Sequence, residues 1–509
     1  MSFIISIVLI ALFSFLTLLI YYGYDKTYVL APVIVAILII DMLFAFFIVS
    51  STRYTMVKLC WVFVVLAFPM IGDILFVIFG TTPFKKKEWK EYNSLQANFV
   101  KNEKFYKNKQ LGLTHDELNI FNFAKNNSFR PIYRNNKIQV IDSNPDLYKT
   151  SIQLIRSAKK TIHIQMYIVR QGFWLKCIMS ELIKKAKSGI KIRFIYDWVG
   201  CANKFPKKYV KELKEAGICV AKFNPHGLNI FKGATNFRSH RKGIIIDNKI
   251  ALYGGSNIGD EYLSIDKKTN YFKDLNYIVQ GEIVNSLNLL FCQDFCFMTD
   301  IKRDSKEFNN VYKKLDKILV PKKVSNITHA QVVESSPDYE GKSIKNQILN
   351  LILKARKSID IISPYFFPTD DIVDCLIIAS QSGIKVRLIC PGQNDDKTFV
   401  VLLNRNNYKK MIDAKIKVYE FNGFIHSKLM IIDNKYVFTG SNNLDYRSLW
   451  INFENAILIK NNDLAQQLTN YVNFTLFNSI TINNKFLIEN SHKLDKLKIA
   501  LMMIYYPLL

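Results

Sequence analysis

Paired cysteines are missing from this chain. Its eight cysteines are scattered with no Cys-x-x-Cys spacing, which leaves no disulfide framework to read and fits a reducing compartment. Cys292 and Cys296 stand four apart on an expected helix, Leu289 to Met298. Two further ligands would be needed for a metal and none is evident, so the reading is a core face. Histidine is equally scarce, seven in 509 residues, and His115, His163, His226, His329 and His492 have no partners at metal-ligand spacing. No metal and no cofactor is predicted. Acids are in deficit as well: 42 against 69 lysines and arginines, a formal charge of +27.

Charge of either sign is nearly absent from the first 80 residues. Residues 3 to 22 carry none, 28 to 50 only Asp41 and 59 to 80 only Asp73; at about 1.5 Å per residue each run is long enough to cross a bilayer. Three transmembrane spans are predicted. The first lacks the basic leader and cleavage site of a signal peptide. Asp41 and Asp73 are expected near helix turns facing a neighbouring helix, with no catalytic role; functional intramembrane acids are the alternative. Lys85, Lys86, Lys87 and Lys90 follow the third span, and by the positive-inside rule the rest of the chain is cytoplasmic. Within residues 1 to 80, Lys26, Arg53 and Lys58 cancel Asp25, Asp41 and Asp73, so the whole excess lies in residues 81 to 509. Such a surface suits anionic phospholipid, which attracts each nearby base by about 1 kcal/mol. It would also suit nucleic acid, and the spans decide for lipid.

The chain is too long for a single core, and it repeats itself. His240-Arg241-Lys242-Gly243-Ile244-Ile245-Ile246-Asp247, then Gly254-Gly255-Ser256-Asn257, returns as His426-Ser427-Lys428-Leu429-Met430-Ile431-Ile432-Asp433, then Gly440-Ser441-Asn442-Asn443. His and Lys two apart project from one face of an extended chain. The apolar run and the Asp-Asn-Lys turn after them read as a hairpin. Each hairpin puts an imidazole, an ammonium, a hydroxyl and a carboxamide at one strand edge. Imidazole can attack or carry a proton, while Lys and Asn can hold phosphoryl oxygens in a trigonal-bipyramidal transition state. One copy would be a strand edge arising by chance; two copies in register imply one site built twice. Around the hairpins, Leu154 to Ile164 is echoed by Leu351 to Ile361, and Ser188 to Arg193 by Ser382 to Arg387. Both read as helix, glycine stop, β-branched strand, which argues α/β layers with a largely parallel sheet in each half.

The duplicated pattern resembles the HxKx4D signature of the phospholipase D superfamily. Arg238 to Lys242, Gly255 to Tyr262, Ser363 to Pro368 and Asn443 to Ser448 with Asn452-Phe453-Glu454 look like bacterial cardiolipin synthases, and the resemblance covers essentially the whole chain. It implies an α/β fold of two phospholipase D-like domains, each a mixed, largely parallel sheet flanked by helices, preceded by N-terminal transmembrane helices. The two His motifs should meet across a pseudo-two-fold axis. The expected boundaries are an anchor over 1–80, a connector over 81–135, domains over 136–320 and 321–490, and an apolar tail over 491–509. The run Leu497 to Leu509 either packs as a last helix or lies in the membrane interface.

The resemblance further implies transphosphatidylation without metal: two phosphatidylglycerols give cardiolipin and glycerol through a phosphohistidine. The candidate catalytic set is His240, Lys242, Asp247, His426, Lys428 and Asp433, with His240 as nucleophile and His426 as acid/base. Asp247 and Asp433 are read as organising the hairpin rather than touching substrate. Asn257 and Asn443 should bind the phosphate, supported by Ser256 and Ser441, whose one-place displacement leaves their roles open. Glu454 and Asp274 should fix the imidazole tautomers. Gly243 stands where the family more often has an apolar residue. The expected partners are phosphatidylglycerol and the bacterial cell membrane, not nucleic acid. A phospholipase D hydrolase, a transferase using another alcohol and a membrane-tethered nuclease are the alternatives.

Overall fold

A computed structural model of the chain describes residues 27–51, 55–80, 86–101, 111–224, 237–266, 271–299, 327–337, 342–394 and 399–490, with isolated positions beyond. The chain divides into two compact units, one running to Thr82 and the other from Pro83.

In the first unit, α1 (Thr27–Ser50) is apolar throughout apart from Asp41. Among the described residues no helix is long and apolar enough to cross a membrane. The span expected over 3–22 lies outside the described residues, as do Lys85 and the run 503–509. The span expected over 59–80 is broken: α2 (Thr55–Ala67) stops, Phe68, Pro69 and Met70 intervene, and α3 (Ile71–Leu75) follows. Proline removes a helix donor and disfavours α geometry in the residue before it. Asp41 answers the break, its Oδ1 accepting from the Met70 backbone N–H at 3.2 Å.

The second unit is built on one sheet. Its strands are β1 (Tyr133–Ile141), β2 (Thr161–Met166), β3 (Lys191–Asp197), β4 (Cys219–Phe223), β5 (Gly243–Ile246), β6 (Ile250–Gly254), β7 (Phe272–Lys273) and β8 (Asn276–Gly281) in the first half. The second half holds β9 (Ile327–Ser335), β10 (Ser358–Ile362), β11 (Phe366–Phe367), β12 (Lys385–Pro391), β13 (Lys417–Phe421), β14 (Phe424–Ile425), β15 (Leu429–Ile432), β16 (Tyr436–Gly440), β17 (Leu444–Asp445), β18 (Glu454–Lys460) and β19 (Ser479–Ile482). Fifteen of them lie in the order β19-β13-β12-β10-β15-β16-β18-β9-β1-β8-β6-β5-β2-β3-β4. Outward from the β9–β1 pair the order mirrors itself: β18 with β8, β16 with β6, β15 with β5, β10 with β2, β12 with β3, β13 with β4. The two halves therefore share a continuous sheet, with the repeat written about its centre.

The sheet is mixed, but the expected largely parallel character is not found. Only β2-β3-β4 and β10-β12-β13 run parallel, four of the fourteen neighbouring pairs. A parallel pair needs a long crossover, such as the helix Phe173–Lys187 between β2 and β3, whereas tight turns force antiparallel pairing. Each HxKx4D segment supplies such a turn. Asp247 and Asn248 have φ of 53° and 54°, Asp433 and Asn434 of 55° and 51°, the left-handed geometry of a type I′ turn that Asp and Asn tolerate.

The stretch expected as a connector belongs partly to this core. Helix Lys86–Lys101 buries Tyr92, Leu95 and Phe99 beside helix Ile283–Met298; a buried Leu or Phe contributes roughly 1.5–3 kcal/mol. Cys292 and Cys296 lie buried in that same cluster.

Candidate active site

The imidazoles sit where short extended segments lead into the two hairpins. In the first half, His240 N–H donates to Phe453 O at 2.9 Å and Phe453 N–H to Arg238 O at 2.8 Å. That pairing brings Glu454, the next residue, to the imidazole: Nδ1 lies 2.9 and 3.0 Å from its carboxylate oxygens. In the second half, Phe424 and Ile425 pair in parallel with Phe272 and Lys273, and His426 N–H donates to Lys273 O at 2.7 Å. The next residue is Asp274, whose Oδ2 lies 2.8 Å from His426 Nδ1. Each imidazole is thus held by a carboxylate from the opposite half, an exchange that the order of residues along the chain does not reveal.

A carboxylate on Nδ1 fixes the proton there and leaves Nε2 as the working nitrogen. Both imidazoles are 6 % exposed. Burial lowers the His240 pKa to about 4 against the pull of Glu454. Burial, helped by the charge of Lys428, lowers that of His426 to about 3. Burial opposes the Glu454 charge, yet His240, Lys242 and the Ser441 hydroxyl outweigh it and hold the carboxyl down to about 2.

Lys242 and Lys428 lie on the same faces as their histidines. Lys242 Nζ donates to His240 O at 2.6 Å, and Lys428 Nζ to His426 O at 2.5 Å. Burial lowers Lys242 to about 7, with Lys428 adding to the effect against Glu454. Asn257 and Asn443 both line a cavity of about 520 Å3 together with the two imidazoles. Asn257 is anchored by Ile168 N–H on its Oδ1 at 3.0 Å and by its own donation to the Tyr262 hydroxyl at 2.6 Å.

Four expected site residues take other places. Ser256 and Ser441, like Lys242 and Lys428, are not on the cavity wall; Ser256 Oγ donates to Asp274 at 3.2 Å and Ser441 Oγ to Glu454. Despite their displacement in sequence, both hydroxyls donate to the carboxylates that hold the imidazoles. Asp247 and Asp433 stand just past the far ends of the four-residue strands β5 and β15, each about 13 Å long at 3.3 Å per residue, whereas the histidines precede the near ends. Asp247 accepts from the N–H groups of Lys159, Lys160 and Thr161 at 2.7–2.9 Å. Asp433 accepts from those of Arg356, Lys357 and Ser358 at 2.6–3.1 Å. Both aspartates thus tie their hairpin to the start of the neighbouring strand, β2 or β10.

Other contributors were not visible in the motif. Tyr167 stands edge-on to His240, ring centroids 4.8 Å apart, and Tyr262 edge-on to His426 at 5.5 Å. Ser448 Oγ donates to Glu454 at 2.6 Å. Arg241, between the motif His and Lys, is buried, pairs with Asp294 at 2.6 and 2.8 Å and donates through Nε to Glu454 O at 3.2 Å. Its place in the first motif was the one available signal.

Duplication of one hairpin about a shared cavity is the build of a phospholipase D-like protein, and comparison with known proteins narrows the class. A family model described as "Cardiolipin synthase, PLD-like domain" matches residues 151–288 and 348–475, one segment in each half. The cardiolipin synthase of Alkalihalophilus pseudofirmus is 34 % identical over 463 residues, covering 87 % of this chain and 89 % of the relative. That of Halalkalibacterium halodurans is 34 % identical over 439 residues, 83 % of each. The chain belongs to the cardiolipin synthase family of the phospholipase D superfamily. Its fold is shared by the phosphatidylserine synthase of Haemophilus influenzae Rd KW20, with a TM-score of 0.60 at 16 % identity over 77 % of this chain and all of that one.

Proposed function

We propose that this chain transfers a phosphatidyl group from one phosphatidylglycerol to another, giving cardiolipin and glycerol. The observation that carries this reading is the pair of opposed imidazoles, each with a carboxylate on Nδ1, on the wall of one cavity. His240 Nε2 attacks phosphorus, the bond from phosphorus to the glycerol oxygen breaks, and protonated His426 gives its Nε2 proton to the departing alkoxide. The acceptor hydroxyl then loses its proton to the neutral His426 and its oxygen attacks phosphorus. The phosphorus–nitrogen bond breaks and His240 is restored. Lys242, Lys428, Asn257 and Asn443 hold the non-bridging oxygens, where fixed donors in a dry site act most strongly.

The acid must be protonated at the start, although burial disfavours that charge. An anionic phosphodiester beside the ring favours it again. The N-terminal unit anchors the enzyme in the bacterial membrane, with the catalytic unit on the cytoplasmic side. Ile39, Met42, Leu43, Phe46 and Phe47 of α1 are exposed and supply apolar surface suited to lipid.

The test is lipid product analysis on the full chain in phosphatidylglycerol vesicles beside His240→Ala and His426→Ala. Cardiolipin and free glycerol, lost in both variants, are the expected result. Phosphatidic acid alone would make water the acceptor, and intact lipid with nicked DNA would make the protein a nuclease.

A further inference from the structure

The repeat breaks its own symmetry at one pair of positions in the cavity wall. Two residues before His240 stands Arg238, and two before His426 stands Phe424. Four residues after Asn257 stands Glu261, and four after Asn443 stands Arg447. All four line the cavity. The pseudo-two-fold therefore relates Arg238 and Arg447, two cations from different halves, to Phe424 and Glu261. The second pair offers an anion nothing: Phe424 packs on Phe272 with centroids 5.1 Å apart, and Glu261 is ion-paired to Arg170 at 3.4 Å.

Two guanidinium groups in one largely buried wall repel. Arg238 is 6 % exposed, and its pKa is held below the usual arginine value by burial and by the charge of Arg447, against the pull of Asp197. Asp197 is already engaged by the N–H groups of Val199, Gly200 and Ser239 at 2.8–3.1 Å. Phe453 N–H donates to Arg238 O at 2.8 Å, Asn452 N–H to Arg447 O at 2.9 Å and His240 N–H to Phe453 O at 2.9 Å, which places both arginines on the His240 side of the wall. An anion bound there would offset their repulsion.

The reaction proposed above supplies one. The donor phosphate occupies the space between the imidazoles, and the leaving glycerol is neutral. The acceptor phosphatidylglycerol carries its own phosphodiester, three carbons from the hydroxyl that attacks. We propose that Arg238 and Arg447 form a second phosphate subsite, which holds the acceptor lipid's phosphodiester while its terminal hydroxyl reaches the phosphorus between the imidazoles. This inference rests on the transferase reading and adds what selects the acceptor: a planar guanidinium fork matches phosphate in two-point contact. Water and free glycerol lack the anion and draw nothing from the subsite.

The experiment compares acceptors on the full-length enzyme. Phosphatidylglycerol vesicles are supplied with labelled glycerol or labelled glycerol 3-phosphate, and cardiolipin is measured in parallel, for wild type, Arg447→Gln, Arg447→Lys and Arg238→Gln. Arg447→Gln should lose cardiolipin formation and transfer to glycerol 3-phosphate at least tenfold more than it loses exchange with neutral glycerol, mainly through the acceptor KM. Arg447→Lys should recover part of the loss. Equal losses with neutral and anionic acceptors, or no loss with either, would overturn the subsite. A wild type that makes no cardiolipin, yet prefers glycerol 3-phosphate to glycerol through Arg447, would refute phosphatidylglycerol as the acceptor proposed above while upholding the anion subsite.

Discussion

Asp274→Asn isolates one carboxylate from the rest of the site. Asp274 Oδ2 lies 2.8 Å from His426 Nδ1, and Oδ1 accepts from the Leu275 N–H at 2.7 Å. The amide is close to isosteric and can keep the Leu275 contact through its oxygen, so what is lost is the negative charge beside the imidazole and the acceptor oxygen that Ser256 Oγ shares with His426 Nδ1. Two unit charges about 4 Å apart interact by about 4 kcal/mol at an effective dielectric of 20, and a hydrogen bond to a charged group contributes about 1.5–3 kcal/mol net. Taking roughly 2–4 kcal/mol, kcat should fall by about 30- to 1000-fold. The KM for phosphatidylglycerol should move little, because the carboxylate touches the imidazole and not the lipid. The assay is glycerol release and cardiolipin formation in mixed micelles across pH, with the thermal transition recorded for each variant. A positioning carboxylate also stabilises the imidazolium, so the alkaline limb of the rate profile, set by loss of the His426 proton, should shift to lower pH in Asp274→Asn, and Asp274→Glu should restore part of the rate. A kcat within twofold of wild type, or a loss confined to KM, would refute the assignment. Glu454 is a less clean probe, since two hydroxyls, Ser441 and Ser448, donate to its carboxylate against one, Ser256, on Asp274.

Three further outcomes follow from the same geometry. Lys242 is lowered to about 7 chiefly by burial, so its charge is lost as pH rises through 7. The apparent KM for phosphatidylglycerol should rise between pH 7 and 9 in wild type and stay flat in Lys242→Arg, whose charge persists; parallel profiles would refute this. Asp433→Ala removes the acceptor of the N–H groups of Arg356, Lys357 and Ser358; these are exposed or half-buried and can turn to water, so the loss is the net value of each hydrogen bond to a charged group, about 1.5 kcal/mol or less. Its Tm should drop by several degrees with kcat of the folded fraction within about threefold, and a loss of kcat at unchanged Tm would return Asp433 to the catalytic set. His163, stacked on Phe291, is lowered to about 3 by burial and by Arg193. Its folded pKa lies below the unfolded value near 6.5, so the stability it contributes is present above pH 6.5 and lost as pH falls toward 3. In His163→Gln the fall of unfolding free energy between pH 6 and 4 should be shallower by up to about 1.4 kcal/mol per pH unit; an unchanged slope would show that the ring is already charged in the folded protein.

The residues of the site were legible in the sequence because they sit at local spacing. His240 with Lys242 and His426 with Lys428 follow from period-two geometry on an extended chain, and the turn residues Asp247 and Asp433 from the hairpin that must close there. The helix–strand echoes around Ile162 and Ile359 likewise marked strands that are present, β2 and β10. The parallel character was over-read from those same echoes, because a crossover helix marks only its own strand pair. The antiparallel strands β5, β6 and β8, like β15, β16 and β18, are joined without such a helix. In the N-terminal unit, hydropathy reported an apolar run over 59–80 but not the break at Pro69 inside it, since composition over a window is blind to one missing donor.

Partners across the two halves were the part that spacing could not supply. That Glu454 meets His240, and Asp274 meets His426, depends on two short pairings far apart in sequence, Ser239 with Phe453 and Ile425 with Lys273. Each joins one half to the other and leaves no periodic trace. The serines carry the argument a step further. Ser256 and Ser441 are out of register by one place, and a reading confined to the motif leaves their equivalence open. Both hydroxyls nevertheless end on a carboxylate: Asp274 stands two residues before β8 and Glu454 opens β18, the strands paired with β6 and β16 of the hairpins. Identity of role here follows from which group the side chain meets across the sheet, and a motif constrains that only where the partner lies within the same few residues.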